Sequence, residues 1–249
     1  MSTLVLEHLK HTNASSNNIT LAADGSLALG NVTGDTTFDT NTLKIDATNN
    51  RVGVGTASPS SALHVSGGAG TNVAIQSSSG HHWRIGDGVG SSNGNLVIYD
   101  YTDSRKCFEI TSSGAILAPT TPIFSVKDAS GSYTVGSAAR LEFDTIILDT
   151  SSGWSTANNR YTIPQAGNYL FTWFSIHAGQ VTNEWMSLRR NGARMFDQHY
   201  STSNGNWHHS GASAILNCAQ NDYIELYNGG NSINYHGQTW SNLSGFLLS

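Results

Sequence analysis

Charged side chains are the scarcest class in this sequence. Asp, Glu, Lys and Arg make up 12% of 249 residues, about half the share of an ordinary soluble domain. The net charge of −5 is mild, which argues against the electrostatic footprint of a nucleic-acid binder. Cysteine is nearly missing. Cys107 and Cys218 read as two buried thiols rather than a disulfide, and a small secreted domain would carry more. No run of about 18 apolar residues exists, so no membrane-spanning helix is expected. Met1 to His8 shows no basic patch followed by an apolar run, so no secretory signal is expected. Gly-X-Ser-X-Gly elbows and zinc-protease motifs are also lacking. The reading is therefore of a non-enzymatic chain without cofactor or metal.

Gly, Ser, Thr and Asn fill the gap, as in an extracellular β fibre. The sequons at Asn13, Asn18, Asn31 and Asn242 read as by-products of that composition. A fibre-like composition without an export signal fits a virion protein, made in a bacterial host cytoplasm and exposed after lysis. Phe, Trp and Tyr make up 9% of the chain and gather in its second half, so the apolar core is expected there.

The first half repeats loosely. Ile19-X-Leu21 before Asp24-Gly25-X-Leu27 has a twin in Phe108-X-Ile110 before Ser113-Gly114-X-Ile116, and Leu43-X-Ile45, Asn49-Asn50, Val52-X-Val54 is a longer variant. Such alternation predicts short half-buried strands joined by tight turns. Between Ile19 and Leu117 the aliphatics come in ones and twos, so the segment is expected to need partner chains to complete a core. Gly53, Gly55, Gly86, Gly88 and Gly90 read as turn residues, since neither a helix pattern nor Lys-Ser/Thr follows them. Val52-Gly53-Val54-Gly55-Thr56, Ser58-Pro59 and Ala62-Leu63-His64-Val65 together resemble the repeat common in bacteriophage tail fibres. Trp83 to Gly86 and Gly94 to Ile98 resemble it too. Leu4, Val5, Leu6 and Leu9 form an apolar cluster suited to docking on a larger structure. Pro119 and Pro122 mark a stiff boundary. The expected organisation is residues 1–36 for tail attachment, 37–121 as an intertwined trimeric β shaft, and 122–249 as a head.

The head carries the most specific pattern: Phe143, Asp149, Trp154, Tyr161, then Gly167-Asn168-Tyr169-Leu170-Phe171-Thr172-Trp173. This spacing resembles the signature of the complement 1q/tumour-necrosis-factor-like jelly roll, with conservative departures at Tyr161 and Trp173. Pro122 to Val126 resembles that family's first strand, and Asp222 to Leu226 and Ser244 to Leu248 its last two. The resemblance implies an all-β antiparallel sandwich, homotrimers, and no chemistry of its own.

Strand parity orients the head. Tyr169, Phe171 and Trp173 share one face of their strand; Leu170, Phe174 and Ile176 share the other. Both faces are apolar, so one is assigned to the core and the other to a neighbouring subunit. Tyr169, Leu170, Phe171, Trp173 and Phe174 are thus the interface and core candidates. Counting back through antiparallel strands makes Gly229 to Ser241, Ser201 to Trp207 and Ala178 to Asn183 the distal loops, where binding is expected. Their candidates are Asn204, Asn206, Trp207, His208, Asn231, Asn234, Tyr235, His236 and Gln238. Aromatic rings cover the C–H face of a sugar and amides pair with vicinal hydroxyls, so the expected ligand is a host-surface glycan, with a protein receptor as the other option. His81-His82 and His208-His209 are adjacent in strands and point to opposite faces, so neither pair chelates one ion; a site on a threefold axis stays open.

The function expected from the whole sequence is a phage tail fibre that attaches to a host cell through a trimeric tip, with its N-terminus on a tail or adaptor protein. Two alternatives stand beside it: a tailspike depolymerase, for which the Asp100 to Glu109 stretch offers a few carboxylates, and a structural connector or decoration protein.

Overall fold

The computed structural model describes residues 8–9, 19–21, 27–28, 36–39, 42–90, 94–178, 184–200 and 207–249. Among them every regular element is a strand. The chain divides into two compact units, Met1–Ala118 and Pro119–Ser249.

The first unit is a series of small sheets. Strands β1 (His8–Leu9), β2 (Ile19–Leu21) and β3 (Leu27–Ala28) pair antiparallel. Next come β4 (Thr36–Phe38), β5 (Leu43–Asp46), β6 (Arg51–Val54) and β7 (Leu63–Val65). Here β4–β5–β6 are antiparallel and β7 joins β6 in parallel. The β5–β6 turn is made by Asn50 at φ 54° and by Asp46, whose carboxylate accepts the Asn49 N–H at 2.9 Å. Gly55, at φ +75°, sits so close to Ser66 O that a Cβ would lie 2.0 Å from it, so this parallel crossing admits only glycine. A five-stranded meander follows: β8 (Asn72–Gln76), β9 (His82–Asp87), β10 (Leu96–Asp100), β11 (Arg105–Ile110) and β12 (Ile116–Leu117). Of this unit's described apolar side chains, Val89 and Val97 are buried, whereas Leu63, Val73, Ile75, Leu96 and Ile116 are exposed. The alternation that predicts strands is present, and Leu43, Val52, Val65, Ile98, Phe108 and Ile110 are half-buried, but within one chain little of it is fully covered.

The second unit is a jelly-roll sandwich, the all-β architecture expected of the head. Its strands are β13 (Ile123–Lys127), β14 (Ser132–Val135), β15 (Thr145–Asp149), β16 (Trp154–Ser155), β17 (Arg160–Thr162), β18 (Gly167–Ala178), β19 (Glu184–Arg190), β20 (Ala193–Tyr200), β21 (Trp207–Cys218), β22 (Tyr223–Asn228), β23 (Ile233–His236) and β24 (Asn242–Leu247). One sheet has β18 at its centre. Strand β21 runs along the whole of one side of β18. On the other side lie β24 against Tyr169–Phe174 and β23 against Ile176–Ala178. Beyond β24 come β13 and β15; beyond β23 comes β14. The other sheet runs β16-β17-β22-β19-β20.

The signature residues build this sandwich. Phe124 stacks on Tyr161 with ring centroids 4.0 Å apart, and Trp154 packs edge-on to Phe143 at 6.1 Å. Trp154 donates its indole N–H to Phe143 O at 3.1 Å, and the Tyr161 hydroxyl bonds Ser151 at 2.7 Å. Burial pushes the Tyr161 pKa up to about 12. Asp149 accepts the N–H of Ser151 at 3.1 Å and of Trp154 at 2.8 Å, tying the corner between the sheets. Gly167 is fixed by crowding: a Cβ there would lie 2.5 Å from Leu247 Cδ1 and 2.6 Å from Ser249 O. That contact, with Leu247 N–H donating to Pro122 O at 3.0 Å, brings the two ends of the head together.

Two expectations need correction. Gly229 to Ser241 is not one loop, because β23 occupies Ile233–His236 and continues the line of β24 beside β18. What remains is a turn at 229–232 and a five-residue excursion at 237–241. The two cysteines are both free, but only Cys218 is buried; Cys107 is half-buried. Burial pushes the Cys218 thiol up to about 11.

Candidate functional site

Register across the β18 sheet turns single side chains into rows. Tyr169, Phe171 and Trp173 point into the core, at most 3% exposed. Their neighbours Leu170 and Phe174 point to the outer face and are half-buried. On that face Ile123, Phe246, Leu170 and Ile215 are consecutive cross-strand partners. They form an apolar row across four strands, in which Ile215 is 58% exposed. Two residues further along each strand the row is Ser125, Ser244, Thr172 and Ser213, with Ser244 donating to Ser125 at 2.9 Å. Then come Asn242, Phe174 and Gly211, next His236, Ile176 and His209, and finally Asn234, Ala178 and Trp207.

The last rows form a cleft of ≈ 490 Å³ lined by Ile176, Trp207, His236 and Trp240. Trp207 and Trp240 are 59% and 51% exposed, which is unusual for the largest apolar side chain. Trp207 meets His236 edge-on, centroids 4.2 Å apart. His236 is held from behind by Ser132, whose hydroxyl lies 2.9 Å from Nδ1. Trp240 rides on the 237–241 excursion, which is pinned at several points. Gln238, at φ 57°, donates its N–H to Asp128 O at 2.6 Å, and the Ser241 hydroxyl donates to His236 O at 2.6 Å. Two indoles and an imidazole thus gather at one end of the β18 sheet, Trp240 on the pinned excursion, a set that covers flat, weakly polar faces such as those of a pyranose.

The sequence-derived candidates separate accordingly. Trp207, Asn234, His236 and Gln238 lie at or beside this cleft. Asn231 is in the 229–232 turn, where its carbonyl accepts from Asn228 at 2.6 Å. Tyr235 is buried in the core at 0% exposure, because alternation along β23 sends it opposite to Asn234 and His236; it offers no surface to a ligand. His208 turns away from the cleft and stacks on buried His177 at 5.5 Å. Asn204 and Asn206 lie outside the described residues. Sequence reasoning missed Trp240 and placed Ile176 only on a face. The available signal was a tryptophan isolated between Thr239 and Ser241, too polar a setting for a core residue.

The carboxylates of the other clusters serve local structure. His81 Nδ1 lies 3.0 Å from Asp100 and 4.0 Å from Asp103. The Arg105 guanidinium is 3.2 and 3.1 Å from the same carboxylates. Lys106 and Asn95 engage Glu109. In the head, Asp128, Asp144 and Asp222 accept backbone N–H groups of Ser130, Ala129 and Ala219 at 2.7, 2.7 and 2.8 Å. These bonds hold turns.

The family model described as "C1q domain" matches residues 123–248. Among solved structures, the globular domain of zebrafish complement 1qA is similar at 16% identity and TM-score 0.42, covering 51% of this chain and 98% of that one. Eiger TNF from S. frugiperda is similar at 15% and 0.41, covering 52% and 94%. Murine APRIL at pH 5.0 is similar at 10% and 0.45, covering 51% and 99%. No curated protein matches the chain.

Proposed function

Because the chain belongs to the C1q domain family, we propose that it works as a homotrimeric binding tip on a β stem, attaching to a cell-surface receptor through the tryptophan cleft. Domains of this kind generally form homotrimers and bind receptors, and are typically non-enzymatic. The observation that carries the reading is the outer face of the β18 sheet. That face carries an apolar row at one end and, further along the same strands, a cleft with two half-exposed tryptophans. Covering the Ile123–Phe246–Leu170–Ile215 row with a second copy removes the apolar patch. The cleft lies three rows further along the strands, about 20 Å at the usual strand rise, and stays open at the far end.

The finer reading is a phage tail fibre, virion-borne, whose receptor is a host glycan. Its support is the low charge, the stem's short strands, and exposed stem aliphatics suited to threefold packing with two other copies. Residues 1–36 are the segment assigned to tail attachment. Three weak sites on one axis gain avidity without new contacts.

Fluorescently labelled full-length protein tests the reading. Host cells label with wild type and lose labelling with Trp240→Ala or Trp207→Ala. Cells that stay unlabelled by wild type leave the chain as a connector. Attachment persists at about 0.5 M salt, since stacking is screened little; its loss there makes charge the driver and the cleft the wrong site.

A further inference from the structure

Charge gathers on the outer face of the other sheet, away from the cleft. Along β22, Ile224 and Leu226 point into the core at 0% and 1% exposure, while Tyr223, Glu225 and Tyr227 point out. Arg189 on β19 is the direct cross-strand partner of Glu225. Arg140, bridged to Tyr227, brings Nε to 3.4 Å from the Glu225 carboxylate, and Arg160 on β17 acts on the same carboxylate. The Arg189 guanidinium lies 3.8 Å from the Tyr227 ring centroid and that of Arg160 4.5 Å from Tyr223. Three cations therefore share one buried acid. Arg190 and Arg194 close by each have an acid of their own, Asp222 and Asp197. Arg189 Nε is buried with no hydrogen-bond partner among the described residues. One carboxylate has about four lone-pair sites against about five N–H donors on every guanidinium, so the patch holds donors that Glu225 does not use. The tyrosine rings hold the Arg160 and Arg189 guanidiniums in place, and forks so held match the paired oxygens of a carboxylate or a sulfate group.

We propose that Arg140, Arg160 and Arg189 form an anion site, separate from the tryptophan cleft, that takes the carboxylate or sulfate groups of an acidic glycan. A nucleic acid fits less well. Guanidiniums already lie over Tyr223 and Tyr227, leaving those faces unavailable for base stacking, and three cations are too few to track a phosphate backbone.

Isothermal titration of the full chain uses four probes: an oligogalacturonate for carboxylate, a heparin oligosaccharide for sulfate, neutral dextran, and duplex DNA. The expected result is binding of one or both acidic glycans, with no heat from dextran and weaker binding of DNA. Whichever glycan binds identifies the source of the anion. Arg160→Gln with Arg189→Gln weakens it at least about tenfold, and the double Lys variant, which keeps charge but loses the fork, falls between. Arg160→Gln alone leaves the Arg140–Glu225 pair in place and serves if the double variant melts early. The proposal is overturned if the Gln variants bind as wild type does, if neither acidic glycan binds, or if DNA binds as tightly as the glycan. Trp240→Ala leaves this binding unchanged while abolishing cell labelling, so failure here and failure of the receptor reading are told apart.

Discussion

Asp149 and Gly167 show how single residues fix the head. Replacing Asp149 by Ala leaves the Ser151 and Trp154 N–H groups without their acceptor, and is expected to lower stability by about 1–3 kcal/mol in chemical denaturation. Gly167→Ala places a methyl against a backbone carbonyl and Leu247, and is expected to cost a similar ~1–3 kcal/mol. His177 carries a pH dependence of known sign. It is fully buried in the core layer, stacked on His208 and edge-on to Tyr235 at 6.0 Å. Burial first, then His208 and His209, lower its pKa from 6.5 to about 4. Between those values the unfolded chain binds more protons than the folded one. Its stabilising contribution is thus complete above about 6.5 and is lost as pH falls toward about 4. Glu184 and Glu225, pushed up by burial, act with the opposite sign as pH rises through their folded pKa. Melting temperatures across this window should fall more steeply for wild type than for His177→Gln, and equal slopes would remove His177 from the account.

At the scale of elements, the outer row of the β18 sheet is the feature to perturb. Each of Leu170, Ile215 and Phe246 contributes about 1.5–3 kcal/mol if fully covered by a partner. Ile215→Glu with Phe246→Glu puts like charges at every subunit contact, and should yield dissociated chains by light scattering while the fold of the head persists in circular dichroism. An intact trimer in that variant would move the interface elsewhere. This row could not be read from the sequence, and the reason is physical. Tyr169 to Trp173 declare themselves locally, because alternation within one strand assigns faces. The row joins Ile123 to Phe246 and Leu170 to Ile215, from opposite ends of the head, and only register brings them level. The same limit hid Trp240. Sequence parity places it in a long loop, whereas β23 splits that stretch in two and leaves Trp240 on a short excursion beside Trp207. Tyr235 was misplaced because the short strand β23, where alternation decides its direction, was read as loop. The signature itself was legible because its residues are scaffold: they stack and cap within a short stretch of chain, and none of them lines the cleft.

At the scale of the whole molecule the two units make opposite demands. The head holds a continuous core from Phe124 to Leu243. The N-terminal unit buries just Val89 and Val97 among its described aliphatics, too little to offset the entropy of ordering its strands. A chain built this way is predicted to gain its stem only with its partners, so stem and trimer should be lost together. Hydrogen exchange of the Ile215→Glu, Phe246→Glu variant should show fast exchange throughout residues 42–118 and protection in the β18 sheet; a protected stem in a dissociated chain would show that it folds alone. The central claim is the trimer, and sedimentation equilibrium of the full-length chain tests it most directly. The account predicts a single species of three times the chain mass at micromolar concentration, and a stable folded monomer would contradict it.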